Sequence, residues 1–180
     1  MRRSINPQMA LWFGALCTSF AATFIIASGE PPFVVAFYRL FFAVLFFIPV
    51  IAIRGWGELK AIKKRHLVWC LLVGISFGLH LVTYIASLNY TSVASAGALA
   101  SLQPVFVAIG ASIFLKERIG LRVRFGIALA VIGGLIVGGG DLLTVTSTAL
   151  FGDMLALICA LMISLYFVAG RALRQHQNTG

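Results

Sequence analysis

A charged side chain inside a membrane helix costs at least about 2.5 kcal/mol to insert, so each one found there is a functional candidate. Arg39 stands about 9 Å inside an apolar run that begins near residue 33, at ~1.5 Å per helical residue. It can snorkel to the nearer headgroups or face a cavity and bind an anion, and both readings stand. A second set is Ser76, His80, Thr83, Tyr84 and Ser87. Their spacing puts all five on one face of a helix. Such a polar stripe should turn from lipid, toward a neighbouring helix or a water-filled cavity. A third feature is Gln103-Pro104, with Gln103 about 16 Å into its own run and so close to the membrane midplane. Pro104 cannot donate to the carbonyl of Ala100, which predicts a kink there. Interrupted helices near the midplane are where secondary transporters hold substrate.

The elements that carry these residues are long and apolar. The chain has 180 residues, 61% apolar and 11% charged, with a mean hydropathy of +1.02. A soluble domain averages ~45–50% apolar and ~25% charged. That excludes a water-soluble globular domain and a disordered chain. Six runs, at roughly 9–28, 33–53, 67–88, 92–115, 123–140 and 151–170, are long enough to cross about 30 Å of hydrocarbon as helices. They are continuous rather than alternating, which argues against a membrane barrel. The predicted fold is therefore all-α, a polytopic membrane helical bundle of about six transmembrane helices.

Fourteen Lys+Arg against five Asp+Glu give a net charge of +9. Thirteen of the 14 basic residues flank the runs on one side, at 2–3, 54–65, 116–124 and 171–174, and the segments 29–32, 89–91 and 141–150 have none. The positive-inside rule then places both termini in the cytoplasm. The basic excess is an orientation signal, and no nucleic-acid partner is expected. Arg2 and Arg3 before an apolar run also fit a signal peptide, but the run is long and leads through Pro31-Pro32 into another span.

Several chemistries find no support. No carboxylate lies mid-membrane. His66, His80 and His176 fit no metal or catalytic spacing, and no phosphate loop or nucleophile elbow is present. No metal, cofactor or enzymatic activity is expected. Cys17, Cys70 and Cys159 read as small apolar fillers. Stripes of small residues, clearest in Gly126, Ala130, Gly134 and Gly138 of the fifth run, predict tight helix pairs. Gly14, Thr18 and Ala22, and Gly74 with Gly78, carry the same expectation.

Several segments together carry a resemblance: Phe37-Tyr38-Arg39-Leu40, the stretch Tyr84 to Ala94, Gln103-Pro104, Lys116-Glu117-Arg118, and Arg124-Phe125-Gly126 opening a glycine-rich run. In order and spacing they resemble the EamA-type domain of the drug/metabolite transporter superfamily, over about residues 10–138. Gly152-Asp153-Met154 leading to Ala169-Gly170-Arg171 resembles the start of a second such repeat. The resemblance implies a five-helix repeat over 1–140, then an outer loop and the first helix of an incomplete second repeat over 141–180. Ten helices in two inverted repeats would complete such a transporter, so the chain is expected to be truncated at its C-terminal side.

The function this implies is a secondary transporter, an exporter, of small organic metabolites or drugs in the cytoplasmic (inner) membrane. Its partners would be a small-molecule substrate, the lipid bilayer, and either a second copy or the remaining half. Arg39, Tyr84, Gln103 and Pro104 match family positions near the central cavity, and the stripe adds Ser76 and His80. Glu117 matches the acidic residue at the inner end of the fourth helix. The alternative from another class is a non-transporting helical membrane module that needs a partner chain or a second copy.

Overall fold

The computed structural model describes residues 7–54, 64–115, 119–142 and 147–178. Those residues are helical apart from short turns, with no strand among them. The helices are α1 (Pro7–Ser19), α2 (Ala21–Ser28), α3 (Pro32–Arg54), α4 (Lys64–Ser87), α5 (Val93–Ala100), α6 (Gln103–Phe114), α7 (Leu121–Leu142) and α8 (Ser147–Asn178). Each of the six apolar runs is helical. Five stretches have the length and composition of a membrane span, with α1 joining α2 and α5 joining α6. The sixth run is α7, whose 22 residues reach about 33 Å. The last helix is longer than its apolar run, at 32 residues and about 48 Å. Apolar composition marks the part of a helix that lies in lipid, whereas backbone hydrogen bonding carries the helix beyond it.

The turns follow from local chemistry. α2 ends at Gly29, whose φ of 64° lets its N–H reach back to the carbonyl of Ile26 at 3.2 Å. Glycine adopts this left-handed conformation without a Cβ penalty. Pro31 then accepts from the amides of Val34 and Val35 to start α3. Ser92 caps α5 by accepting from the amide of Ser95 at 3.0 Å. Span four breaks where Pro104 predicts. α5 stops at Ala100, and α6 restarts at Gln103 with Pro104 in its first turn, where a missing N–H leaves no helical bond unmade.

Packing is uneven. The most extensive helix pair is α4 with α8, and α8 also packs on α5 and α6. Ile85, Leu81 and Leu88 of α4 meet Ala96 and Leu99 of α5, Ala156 of α8, Ala22 and Ile25 of α2 and Ala36 of α3 in one apolar core. The tight seam runs along α8, where Gly152, Ala156, Ala160 and Ser164 are all buried at every fourth position.

This corrects the expectation placed on the fifth run. Gly126 is exposed with nothing near it, whereas Gly134 is buried and meets the Leu102 side chain at 3.2 Å from where a Cβ would sit. Gly138 lies outside the residues whose surroundings are described. Gly14 and Gly74 likewise face open space, and Gly78 only brushes Leu40. Small residues permit close approach but do not select a partner. The cysteines divide in the same way. Cys159 is buried in the α8 seam, whereas Cys17 and Cys70 are exposed and fill nothing.

Candidate functional site

A cavity of about 480 Å³ lies beside the α5–α6 break. That is within the roughly 300–1,000 Å³ range of small-molecule sites. Arg39 enters it from α3, His80 and Tyr84 from one face of α4, and Gln103 from the first turn of α6. Ala21, Ala22, Leu81, Gly97 and Ala100 make its apolar wall, with Thr18 and Ser101 at its edges. Each element is fixed by something nearby. Ala36, one turn before Arg39, is buried in the core, and Tyr84 packs on the same cluster. Gln103 is held at the level of the break because Leu102 bonds back to the Leu99 carbonyl and accepts from Val105.

The polar stripe on α4 resolves into different roles. Ser76 is buried, and its Oγ donates to the Leu72 carbonyl at 2.8 Å. Thr83 donates to Leu79 at 2.8 Å and Ser87 to Tyr84 at 2.7 Å, both within the helix. These hydroxyls donate to their own backbone and leave no proton to give a ligand. Ser76 is not on the cavity lining. His80 reaches across to α8, where its Nδ1 lies 3.1 Å from the Cys159 carbonyl and 3.1 Å from the Cys159 Sγ. A carbonyl only accepts, so the first bond requires the proton on Nδ1 and leaves Nε2 uncommitted.

Arg39 makes no hydrogen bond or ion pair among the described residues. Its charge acts through space on both His80 and Tyr84. It also lines an adjoining groove of about 740 Å³ between α2 and α3, together with Glu30 and Tyr38. Gln103 is shared in a similar way. A third cavity, of about 510 Å³, lies toward the basic end of the bundle and is lined by Gln103, Pro104, Ala111 and Ser112 of α6, Val123 of α7, and Phe167, Arg171 and Arg174 of α8. Pro104 therefore belongs to this cavity and not to the one around Arg39. Glu117 lies outside the described residues. No three His, Cys, Asp or Glu come together as a metal site would need, among the described residues.

Two contacts join residues that the sequence reading had not paired. Cys159 holds His80, although only the distance between α4 and α8 reveals it. The second is a clasp at the turn end of the bundle. Thr91 Oγ1 donates to Asp153 Oδ1 at 2.7 Å, and the Tyr90 and Phe151 rings meet edge to face with centroids 5.1 Å apart. Gly152 sits between them, where an added Cβ would lie 2.7 Å from the Thr91 backbone nitrogen. A glycine and an aspartate side by side at the mouth of an apolar run were the available hint.

The chain is 26% identical over 133 residues to a protein of Bacillus subtilis (strain 168) described as the uncharacterized transporter YoaV. The match covers 73% of this chain and 44% of that relative, so the chain spans less than half the relative's length. No solved structure matches. The sequence profile of the EamA-like transporter family matches residues 8–139, and the chain belongs to that family.

Proposed function

We propose that this multi-pass membrane chain acts as a secondary transporter, or as part of one, that carries small organic metabolites or drugs outward across the cytoplasmic membrane. The observation that carries the reading is the position of Gln103. It lines both the cavity around Arg39 and the cavity at the basic end, and it begins the helix that follows the break in span four. A polar side chain shared by two cavities at a helix interruption suits a path opened alternately to either side. Arg39, His80, Tyr84 and Gln103 would line that path, with Pro104 on its inner reach. Ser76 would support α4 from within, and Glu117 would be the family's acidic residue at the inner end of the fourth helix.

Thiol accessibility tests this. Arg39→Cys, His80→Cys, Tyr84→Cys and Gln103→Cys are placed singly in a chain lacking Cys17, Cys70 and Cys159. A polar thiol reagent should reach positions 39, 80 and 84, and position 103 should react from both faces of sealed vesicles. If none of the four reacts while loop positions do, the path does not exist.

A second reading is favoured by the bare faces of α1 to α3, where only 6% of each span is buried. It makes the chain a non-transporting module that needs a second copy or a further membrane unit beside it. Solute flux into vesicles holding the chain alone separates the two.

A further inference from the structure

The cavity beside the α5–α6 break contains one full positive charge and no carboxylate. Arg39 sits about 10 Å along α3 from Pro32. A guanidinium at that depth is costly unless an opposite charge or good acceptors meet it. No protein group supplies one among the described residues. Glu30 shares only the neighbouring groove between α2 and α3, and makes no ion pair with Arg39 there.

The other polar groups on the lining can be sorted by whether they are already used. Ser101 Oγ donates to the Gly97 carbonyl at 2.7 Å, and Thr18 Oγ1 donates to Gly14 and Ala15 at 3.0 and 2.9 Å. His80 has its Nδ1 engaged by Cys159. Besides His80 Nε2, which can only accept, what remains is the five-donor fork of Arg39, the Tyr84 hydroxyl and the Gln103 amide. All three can donate, and one carries charge. Facing them is a wall of small apolar residues, Ala22, Leu81 and Ala100.

We infer that this cavity binds a small organic anion, a compact apolar body bearing one carboxylate, held by the Arg39 guanidinium with Tyr84 and Gln103 as neutral donors. Arg matches a carboxylate in two parallel bonds, which gives orientation as well as attraction. The same lining disfavours cationic solutes, because nothing acidic compensates them and Arg39 repels them. This deepens the transport reading and rests on it: the cavity must first be open to solutes.

Three probes of nearly one shape test it on the full chain in phosphatidylcholine nanodiscs: benzoate, benzamide and benzamidine. Benzoate should bind at least about tenfold more tightly than benzamide, a difference typical of one charge-assisted pair, and benzamidine should be weakest. Arg39→Gln should bring benzoate to within about twofold of benzamide, while Arg39→Lys keeps part of the preference. Tyr84→Phe, which removes only a hydroxyl, should weaken benzoate more than benzamide; it gives an answer if Arg39→Gln does not fold.

Equal binding of benzoate and benzamide overturns the inference while leaving the cavity reading intact. So does a preference that survives Arg39→Gln. Adding phosphatidylglycerol should leave benzoate affinity within about twofold. If that lipid instead displaces benzoate, Arg39 serves a lipid headgroup and the solute assignment is wrong. If no probe binds and positions 39, 80 and 84 are also closed to thiol reagents, the transport reading itself falls.

Discussion

Helices α3 and α8 are both apolar enough to span a membrane, yet 6% of the α3 span is buried inside the bundle against 39% of the α8 span. The difference is not in how greasy they are, since α3 is the more apolar of the two. It lies in side-chain size. α3 carries Phe37, Phe41, Phe42, Phe46 and Phe47 on its exposed surface, and it approaches the core mainly at Ala36. α8 presents Gly152, Ala156, Ala160 and Ser164 in one line against α4 and α5. In lipid, apolar surface gains little by leaving one apolar neighbour for another. What remains is the close fit of backbones and the few interhelical hydrogen bonds, and α8 has both.

The comparison also explains where the cavity lies. It sits between the two regimes, with the well-packed α4 and α5 on one side and the loosely held α2 and α3 on the other. His80 belongs to the packed side, fastened to α8 through Cys159. Arg39 belongs to the loose side and lines two cavities. The site is thus assembled across a closely packed half and a sparsely buried one.

The contrast can be broken or sharpened by substitution, read as unfolding free energy in a mixed-micelle denaturant titration. The largest effect should come from Gly152→Val, where the added branch runs into the Thr91 backbone and the clasp must open, at a cost of about 3 kcal/mol or more. If Gly152→Val is as stable as the parent, the seam on α8 is not what holds the bundle. Ile85→Ala should follow. Its apolar surroundings are lipid-like in both states, so mainly the cavity term remains, about 2 kcal/mol. The partner on α3, Phe46→Ala, removes more atoms from a site 75% exposed and should change stability by under about 0.5 kcal/mol.

Asp153→Ala should cost about 1–2 kcal/mol by leaving Thr91 without its acceptor. In Thr91→Val that penalty should largely vanish, which a double-mutant cycle would read as coupling. His80→Phe should cost less, about 0.6 kcal/mol, the typical size of an interhelical hydrogen bond in a membrane. Gly126→Ala, in the other stripe, should be neutral or slightly stabilising because its Cβ meets open space. A loss as large as that of Gly152→Val would restore α7 as the packing helix and reverse the contrast.

The two stripes show how far pattern reading reaches. Gly126, Ala130, Gly134 and Gly138 repeat as regularly as Gly152, Ala156, Ala160 and Ser164, and nothing in the spacing separates them. The difference comes from the opposing surface. Around Gly152 the turn after α4 brings the Thr91 backbone and the Tyr90 Cβ to within contact. At Gly126 no residue arrives. The α4 stripe has a similar history: its phase on the helix is fixed by spacing, but Ser76, Thr83 and Ser87 turn inward to their own carbonyls while His80 alone crosses to α8.

The sequence by itself determined what each segment does toward lipid. Runs of about 20 apolar residues must be helices, because no other backbone satisfies its hydrogen bonds in hydrocarbon. Pro104 had to interrupt its span, because a ring nitrogen has no proton to give. Only the tertiary structure decided that α8 would be the most enclosed span, that Cys159 would hold His80, and that Arg39 and Gln103 would share a cavity. Those outcomes depend on which surfaces meet across 40 to 80 residues of chain, and apolarity in a membrane says nothing about which helix is the neighbour.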